Sequence, residues 1–137
     1  MNLVDSCGWI EYLGDGPNAA DYAACLSDPA GPERLLLPSI CLQEVFKLAL
    51  REQGAERADI VAAYMTSHAK VIPHDAGLAL EAAFMSQRHG LALADSVVYA
   101  TARAHQAILW TQDAAFKGLP GVRFVAKRKP AHPGPQL

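Results

Sequence analysis

The sequence predicts an α/β domain with a mainly parallel central sheet. Short apolar runs alternate along the chain with longer segments of helical periodicity. One run, residues 35–37, is leucine at every position, which is typical of a strand buried on both faces. In such a sheet the functional crevice lies beyond the carboxyl ends of the strands.

The first half of the chain is expected to contain two strands and four helical segments. In order, these are a strand at 3–4, helices at 8–13 and 17–26, a strand at 35–37, and helices at 39–53 and 56–68. Pro17 suits the first position of its helix. Ser39 is expected to cap the next helix, and Gly54 is expected to end it.

The second half is expected to contribute two further helices and two further strands. These are helices between Asp75 and Gly90 and at 95–106, and strands at 108–111 and 122–125. Val71 and Ile72 form a run too short to assign. Residues 127–137 carry three basic residues and three prolines, so a domain of 1–126 with a mobile tail is expected.

Composition limits the classes of protein that this chain can be. With 137 residues, 51% of them hydrophobic and 19% charged, it suits one domain with a real core. A formal charge of −2 gives no bulk attraction to nucleic acid or membrane. The longest uncharged stretch, 60–69, is far short of the roughly 20 residues that span a bilayer. An early Asp5 argues against a secretory signal, and three cysteines without metal spacing suit a reducing cytoplasm.

Four acidic residues stand where a crevice is expected. Asp5 closes the first strand and Asp113 follows the strand at 108–111, so both are expected at carboxyl ends. Asp95 begins a helix, and Glu44 has mostly apolar helical neighbours, which predicts that it points inward. Converging carboxylates repel one another unless a cation compensates them, and such hard oxygen ligands suit Mg²⁺ or Mn²⁺.

Each acid also has a purely structural interpretation, and spacing alone does not decide between them. Asp95 is a typical helix N-cap residue. Glu44 can pair with Lys47 one turn along the helix. Asp113 can simply begin the loop after its strand. Asp5 interrupts an apolar run at a strand end, where a structural role is least expected.

Four segments resemble the PIN domain family, particularly its VapC-type toxin ribonucleases. They are residues 3–13 (LVDSCGWIEYL), 38–45 (PSICLQEV), 93–102 (LADSVVYATA) and 109–116 (LWTQDAAF). Each segment alone is a weak signal, but all four occur in the order of the family and together span nearly the whole chain.

The resemblance implies a three-layer α/β/α sandwich and a metal-dependent endoribonuclease that cleaves RNA with metal-activated water. It implies a site that binds one or two Mg²⁺ or Mn²⁺ ions through Asp5, Glu44, Asp95 and Asp113, with hydroxyl neighbours Ser6 and Thr111. Two positions depart from the family pattern. Ala115 stands where many relatives have a further acid, and Gln112 stands where a basic residue is frequent.

An RNA substrate requires positive charge around an acidic site. Setting the four acids aside leaves 10 acidic residues against 12 Lys and Arg. The candidate phosphate contacts are Arg34, Lys47, Arg51, Arg88, Arg103 and Lys117. The basic run 127–129 is a further candidate, or alternatively a solubilising or flexible end.

The resemblance also implies a homodimer in the cytoplasm and a VapB-like antitoxin, through which alone the protein would reach DNA. The helix at 39–53 is apolar almost all round, which fits either a central core helix or a groove for an antitoxin or second copy. Two alternative functions remain open. One is a non-catalytic PIN-like module that binds RNA or protein, and the other is a receiver-like Mg²⁺-binding regulatory domain.

Overall fold

The computed structural model describes residues 1–129 and is built around one parallel sheet. The strands are β1 (Asn2–Val4), β2 (Leu35–Pro38), β3 (Lys70–Ile72), β4 (Ile108–Thr111) and β5 (Val122–Phe124). Their spatial order is β3-β2-β1-β4-β5, and every neighbouring pair is parallel. The predicted α/β class with a parallel sheet is confirmed.

Within residues 1–129, six α-helices connect the first four strands, and only a short 3₁₀ turn lies between β4 and β5. They are α1 (Ser6–Leu13), α2 (Ala19–Leu26), α3 (Ser39–Gln53), α4 (Ala55–His68), α5 (Ala76–His89) and α6 (Leu93–Ala104). Helix α4 contacts β2 and β3, whereas α6 contacts β2 and β4 and forms a hairpin with α5. Right-handed crossovers place α1–α4 on one face of the sheet and α5–α6 on the other, which gives the expected three layers.

The path of the chain creates a switch point between β1 and β4. From β1 the chain steps outward to β2 and then β3, and it then returns to place β4 on the opposite side of β1. Crossovers that leave β1 and β4 therefore lie on opposite faces, and a crevice opens beyond the carboxyl ends of these two strands. Asp5 directly follows β1, and Asp113 lies two residues after the end of β4.

The core explains why such short strands are stable. The leucine run of β2 is almost completely buried, as are Leu3, Val4 and Leu109 in the neighbouring strands. The large rings of Trp9 and Tyr22 are fully buried among them. Burial of this apolar surface stabilises strands that have few hydrogen bonds of their own. Within residues 1–129, no helix has the length and apolar character needed to cross a membrane.

Several predicted boundaries are corrected by one or two residues. Ser39 is the first helical residue of α3, and Pro38 occupies the capping position without a side-chain hydrogen bond. Helix α2 begins at Ala19 rather than at Pro17, and the unassigned run at Val71 belongs to strand β3. Asp75 does cap α5, because its side chain accepts a hydrogen bond from the backbone N–H of Leu78.

The expected mobile tail stays a prediction. Residues 130–137 lie outside the described part of the chain. Of the predicted tail, residues 127–129 are described, and Arg128 among them is attached to the domain by an ion pair of 2.9 Å with Asp21.

Candidate active site

Asp5 is the buried centre of the site. Its side chain is 4% exposed and caps α1, with Oδ1 accepting from the backbone N–H of Gly8 at 3.1 Å and Oδ2 accepting from the Thr111 hydroxyl at 2.5 Å. The pKa of Asp5 is raised to about 6, mainly by burial and to a smaller extent by the negative charges of Asp113 and Asp95, against the lowering effect of these two hydrogen bonds. The fold thus holds a carboxylate in a place that disfavours its charge.

Thr111 connects the ends of β1 and β4. Its hydroxyl donates to Asp5 and accepts from the backbone N–H of Asp113 at 3.0 Å. Asp113 in turn caps a short 3₁₀ turn, with Oδ1 accepting from the backbone N–H of Ala115 at 2.9 Å. The Thr111 hydroxyl therefore orients the carboxylate of Asp5 directly and holds the backbone at Asp113.

Asp95 lies in the first turn of α6 and is half-buried. The N-cap of this helix is Ala92, so the interpretation of Asp95 as a simple N-cap is wrong. Burial raises the pKa of Asp95, and the charges of Asp113 and Glu44 raise it further. Asp95 thus shares the electrostatic environment of two other acids.

Glu44 is exposed, which corrects the expectation that it points into the interior. The buried positions of α3 are Cys41, Val45 and Ala49, which recur every fourth residue, and Glu44 lies beside that stripe at its edge. Its Oε1 accepts a hydrogen bond of 3.1 Å from the Ser6 hydroxyl at the start of α1. Among residues 1–129 it forms no ion pair with Lys47.

We call Asp5, Glu44, Asp95 and Asp113 the acid cluster. Although their sequence positions are up to 108 residues apart, Asp113 and Asp95 raise the pKa of Asp5, and Asp113 and Glu44 raise the pKa of Asp95. In the described part of the chain, no lysine or arginine forms an ion pair with any of them. The cluster therefore carries negative charge that the fold does not neutralise.

The donor set of the acid cluster fits a hard divalent cation, since it consists of carboxylate oxygens with hydroxyl neighbours. Across residues 1–129, however, no three His, Cys, Asp or Glu side chains converge closely enough to hold a metal ion as they stand. Asp113 and Glu44 each accept a hydrogen bond from a separate donor, the backbone N–H of Ala115 and the hydroxyl of Ser6.

Sequence reasoning missed a polar network beside the acid cluster. Asn18 is fully buried, and its backbone N–H donates to Glu11, itself buried, at 2.7 Å. Gln112, which replaces the basic residue frequent in the family, accepts from Asn18 at 3.3 Å and from the Tyr22 hydroxyl at 3.2 Å. Gln112 thus ties the loop that carries Asp113 to the α1–α2 connection. The partners lie up to 94 residues apart in sequence, so no local pattern signals them.

The candidate phosphate contacts do not surround the acid cluster together. Arg34 precedes β2 and Arg103 lies beside Gly121, just before β5, so both stand at the amino ends of strands. Arg51 pairs weakly with Glu52, at 3.9 Å. The three remaining candidates, Lys47, Arg88 and Lys117, have exposed side chains. Any role of these residues in RNA binding stays a prediction.

The strand order separates this fold from that of a receiver domain. Receiver-like sheets follow the order 2-1-3-4-5, whereas here β2 lies between β1 and β3. The receiver-like alternative is therefore wrong for this chain.

Solved structures share this fold over nearly their whole length. A toxin–antitoxin complex from Klebsiella pneumoniae matches with a TM-score of 0.72 and 22% identity, covering 90% of this chain and 96% of the other. VapC20 of Mycobacterium tuberculosis, a sarcin-ricin loop cleaving toxin, matches with a TM-score of 0.71 and 21% identity over 94% of this chain and 100% of the toxin. DNA-bound VapBC from Salmonella typhimurium matches with a TM-score of 0.66 and 18% identity over 91% and 98%. At these identities the likeness establishes the fold.

The family assignment is carried by the sequence itself. No curated protein matches this chain. The family model for the PIN domain matches residues 3–122, which include all four members of the acid cluster. The chain therefore belongs to the PIN domain family.

Proposed function

We propose that this protein is a VapC-like toxin, a Mg²⁺- or Mn²⁺-dependent endoribonuclease that a cognate antitoxin neutralises. The observation that carries the proposal is the acid cluster, which collects uncompensated carboxylates at the switch point of the sheet. Membership of the PIN domain family and the shared fold with toxins support it. A buried carboxylate with a raised pKa beside two further acids is typical of a functional site, which favours the catalytic proposal over a non-catalytic binding module.

The residues of the chain divide the work between holding a cation and orienting its ligands. Asp5 has its two oxygens fixed by Gly8 and Thr111, so its remaining lone pairs have a defined direction. Asp95 and Glu44 approach from α6 and α3, and Asp113 from the loop after β4. One or two bound divalent ions would neutralise these charges and activate water for attack on a phosphodiester.

The environment of Asp5 also makes cation binding by the acid cluster depend on pH. With its pKa raised to about 6 by burial and by Asp113 and Asp95, Asp5 holds a proton in mildly acidic solution and releases it near neutrality. Cation binding competes with that proton, so metal affinity is expected to fall below about pH 6.

Cleavage of RNA by the purified chain tests the proposal. A sarcin-ricin-type RNA hairpin is a rational first substrate, since VapC20 cleaves that loop. We expect cleavage in Mg²⁺ or Mn²⁺ and none in EDTA. Asp5→Asn and Asp95→Asn should each lose more than roughly 100-fold in rate, since even an outer partner of a metal ligand contributes about 10–100-fold.

The matched control is Asp59→Asn, which changes an exposed acid on α4 and should leave the rate within about twofold. Cleavage that persists in EDTA, or an active Asp5→Asn variant, would contradict the catalytic proposal.

We also propose a homodimer that acts in the cytoplasm and meets DNA only through its antitoxin. Three large apolar side chains on the α5–α6 hairpin support a protein partner, since Leu80 is 67%, Phe84 69% and Leu93 79% exposed. Sedimentation should show a dimer at micromolar concentration, and a monomer there would contradict this part of the proposal.

A further inference from the structure

The chain continues past β5 across the edge of the sheet that carries the acid cluster. The backbone N–H of Val125 donates to the carbonyl of Thr111 at 2.7 Å, so pairing with β4 extends one residue beyond β5. Because all strands are parallel, this continuation leaves the sheet at the same edge as Asp5 and Asp113. Residues 126–128 therefore run alongside the candidate active site.

Asn18 holds this segment in the way that a neighbouring strand would. Its Nδ2 donates to the carbonyl of Ala126 at 3.0 Å, and its Oδ1 accepts from the backbone N–H of Arg128 at 3.2 Å. These two groups flank Lys127, which is the pattern a parallel partner strand forms around one residue. The same Nδ2 donates to Gln112, the residue between Thr111 and Asp113. We call this arrangement the Asn18 clamp.

Arg128 provides a second anchor and is itself occupied. Its guanidinium lies 2.9 and 3.2 Å from the two carboxylate oxygens of Asp21, and it also donates to the carbonyl of Pro17 at 3.4 Å. One of the two Asp21 contacts is a hydrogen bond and the other an ion pair, and together with the Pro17 contact they hold Arg128 against the start of α2. Lys127 is thus held between two anchors while its own side chain stays exposed.

Lys127 lies on the segment that leaves the sheet at the edge where the acid cluster lies. Asn18, which bonds to the residues on either side of Lys127, also bonds to Gln112, the residue next to Asp113. Within the described part of the chain no carboxylate lies within ion-pair distance of Lys127.

We propose that Lys127 binds a backbone phosphate of the RNA at the mouth of the acid cluster, and that the Asn18 clamp positions it for this contact. The inference rests on the proposed ribonuclease function and names a substrate contact for the same site. An acidic cluster repels phosphate, so a substrate needs a nearby cation that the fold has not already paired. A lysine ammonium binds phosphate as a point charge, which requires a fixed backbone but no fork-like geometry.

Substitution of Lys127 in the full chain tests the inference. We expect Lys127→Gln to raise the KM for an RNA hairpin roughly tenfold, as expected for loss of one charge-assisted contact, with kcat within about threefold. Lys127→Arg should restore most of the affinity. The matched control is Lys129→Gln, which removes the same charge from an exposed neighbour outside the Asn18 clamp and should change KM less than about twofold.

A second readout measures the phosphate contact without turnover. Binding of a fluorescein-labelled RNA hairpin is followed by anisotropy in the Asp5→Asn background at several salt concentrations. Each phosphate contact contributes about 0.7 to the slope of log affinity against log salt for single-stranded RNA. Lys127→Gln should reduce the slope by about that amount, and Lys129→Gln should leave it unchanged.

The outcomes distinguish this inference from the proposed function. Metal-dependent cleavage with equal KM and equal salt slope in Lys127→Gln and Lys129→Gln would overturn the role of Lys127 and leave the ribonuclease intact. Absence of cleavage, together with RNA binding that still depends on Lys127, would overturn the ribonuclease and support the phosphate contact. A loss of thermal stability in Lys127→Gln matching its loss of binding would also overturn the inference, because it would indicate a structural role.

Discussion

Replacing Asp5 by asparagine is expected to stabilise the metal-free protein while it abolishes the proposed activity. Asparagine preserves the volume of the side chain and the acceptor for the Gly8 N–H, but it removes a charge from a position that is 4% exposed. The fold tolerates this charge at a cost, because burial is the largest cause of the raised pKa. Stability and function therefore oppose each other at this residue.

The magnitude follows from the shift of the Asp5 pKa from 3.8 to about 6. Between these values the folded protein retains a proton that the unfolded chain has released, so its stability falls as the pH rises. Above about pH 6 both states are ionised and the whole penalty remains. At roughly 1.4 kcal/mol per pKa unit, the penalty at pH 7.5 is about 3 kcal/mol. The amide introduced by the substitution must also pair with Thr111, so a gain of about 1–3 kcal/mol is expected.

Urea unfolding in EDTA, followed by the fluorescence of Trp9 and Trp110, measures this gain. Asp5→Asn should be more stable than the unmodified chain at pH 7.5, and the difference should shrink towards zero as the pH approaches 4. Asp59→Asn, at an exposed position, should show no such pH-dependent gain. If Asp5→Asn is less stable at pH 7.5, or if its gain is the same at both pH values, the reasoning about burial is refuted.

Three further substitutions separate support of the site from chemistry. Thr111→Val should lower the free energy of unfolding by about 1.5–3 kcal/mol at pH 7.5 and lower metal-dependent cleavage by about 10–100-fold. Thr101→Val, which loses only a hydrogen bond within α6, should lower it by less than about 1 kcal/mol, and equal losses in urea unfolding would contradict this. Gly8→Ala should lower the Tm, because its methyl group would lie 2.7 Å from the buried ring of Tyr22. Gly77→Ala, whose methyl group would make ordinary contacts, should raise the Tm slightly, and the opposite order in calorimetry would be incompatible with the packing. The free energy of unfolding of Glu44→Gln should lie within about 0.5 kcal/mol of that of the unmodified chain, whereas its Mg²⁺-dependent cleavage should fall at least roughly tenfold. Unimpaired cleavage would show that Glu44 is not part of the site.

Much of the fold could be predicted because the signals are local. The leucine run at 35–37 identifies a buried strand, and Asp75 and Gly90 mark the two ends of α5. Strand β3 has only three residues and one buried side chain, so its pattern could not be recognised without its partner β2. The strand order itself follows from packing at long range, which the sequence does not encode in any single segment.

The places of Asp5 and Asp113 at one edge of the sheet could be predicted, but the arrangement of the acids could not. Their places could be predicted because Asp5 and Asp113 stand one and two residues after the ends of strands in a parallel sheet. Glu44 was placed in the interior because its helical neighbours are apolar, but α3 buries only the stripe through Val45 and leaves Glu44 exposed. The Asn18 clamp connects positions 108 and 110 residues apart, so it could not be found from spacing.

The acid cluster is tested most directly by a crystal structure of the protein soaked in Mn²⁺, in which anomalous scattering locates the ion. The account predicts a Mn²⁺ peak at the carboxyl ends of β1 and β4, with oxygens of Asp5 and at least one other member of the acid cluster within about 2.0–2.3 Å of it. Density for Mn²⁺ only elsewhere, with these carboxylates still bound to their own donors, would contradict it.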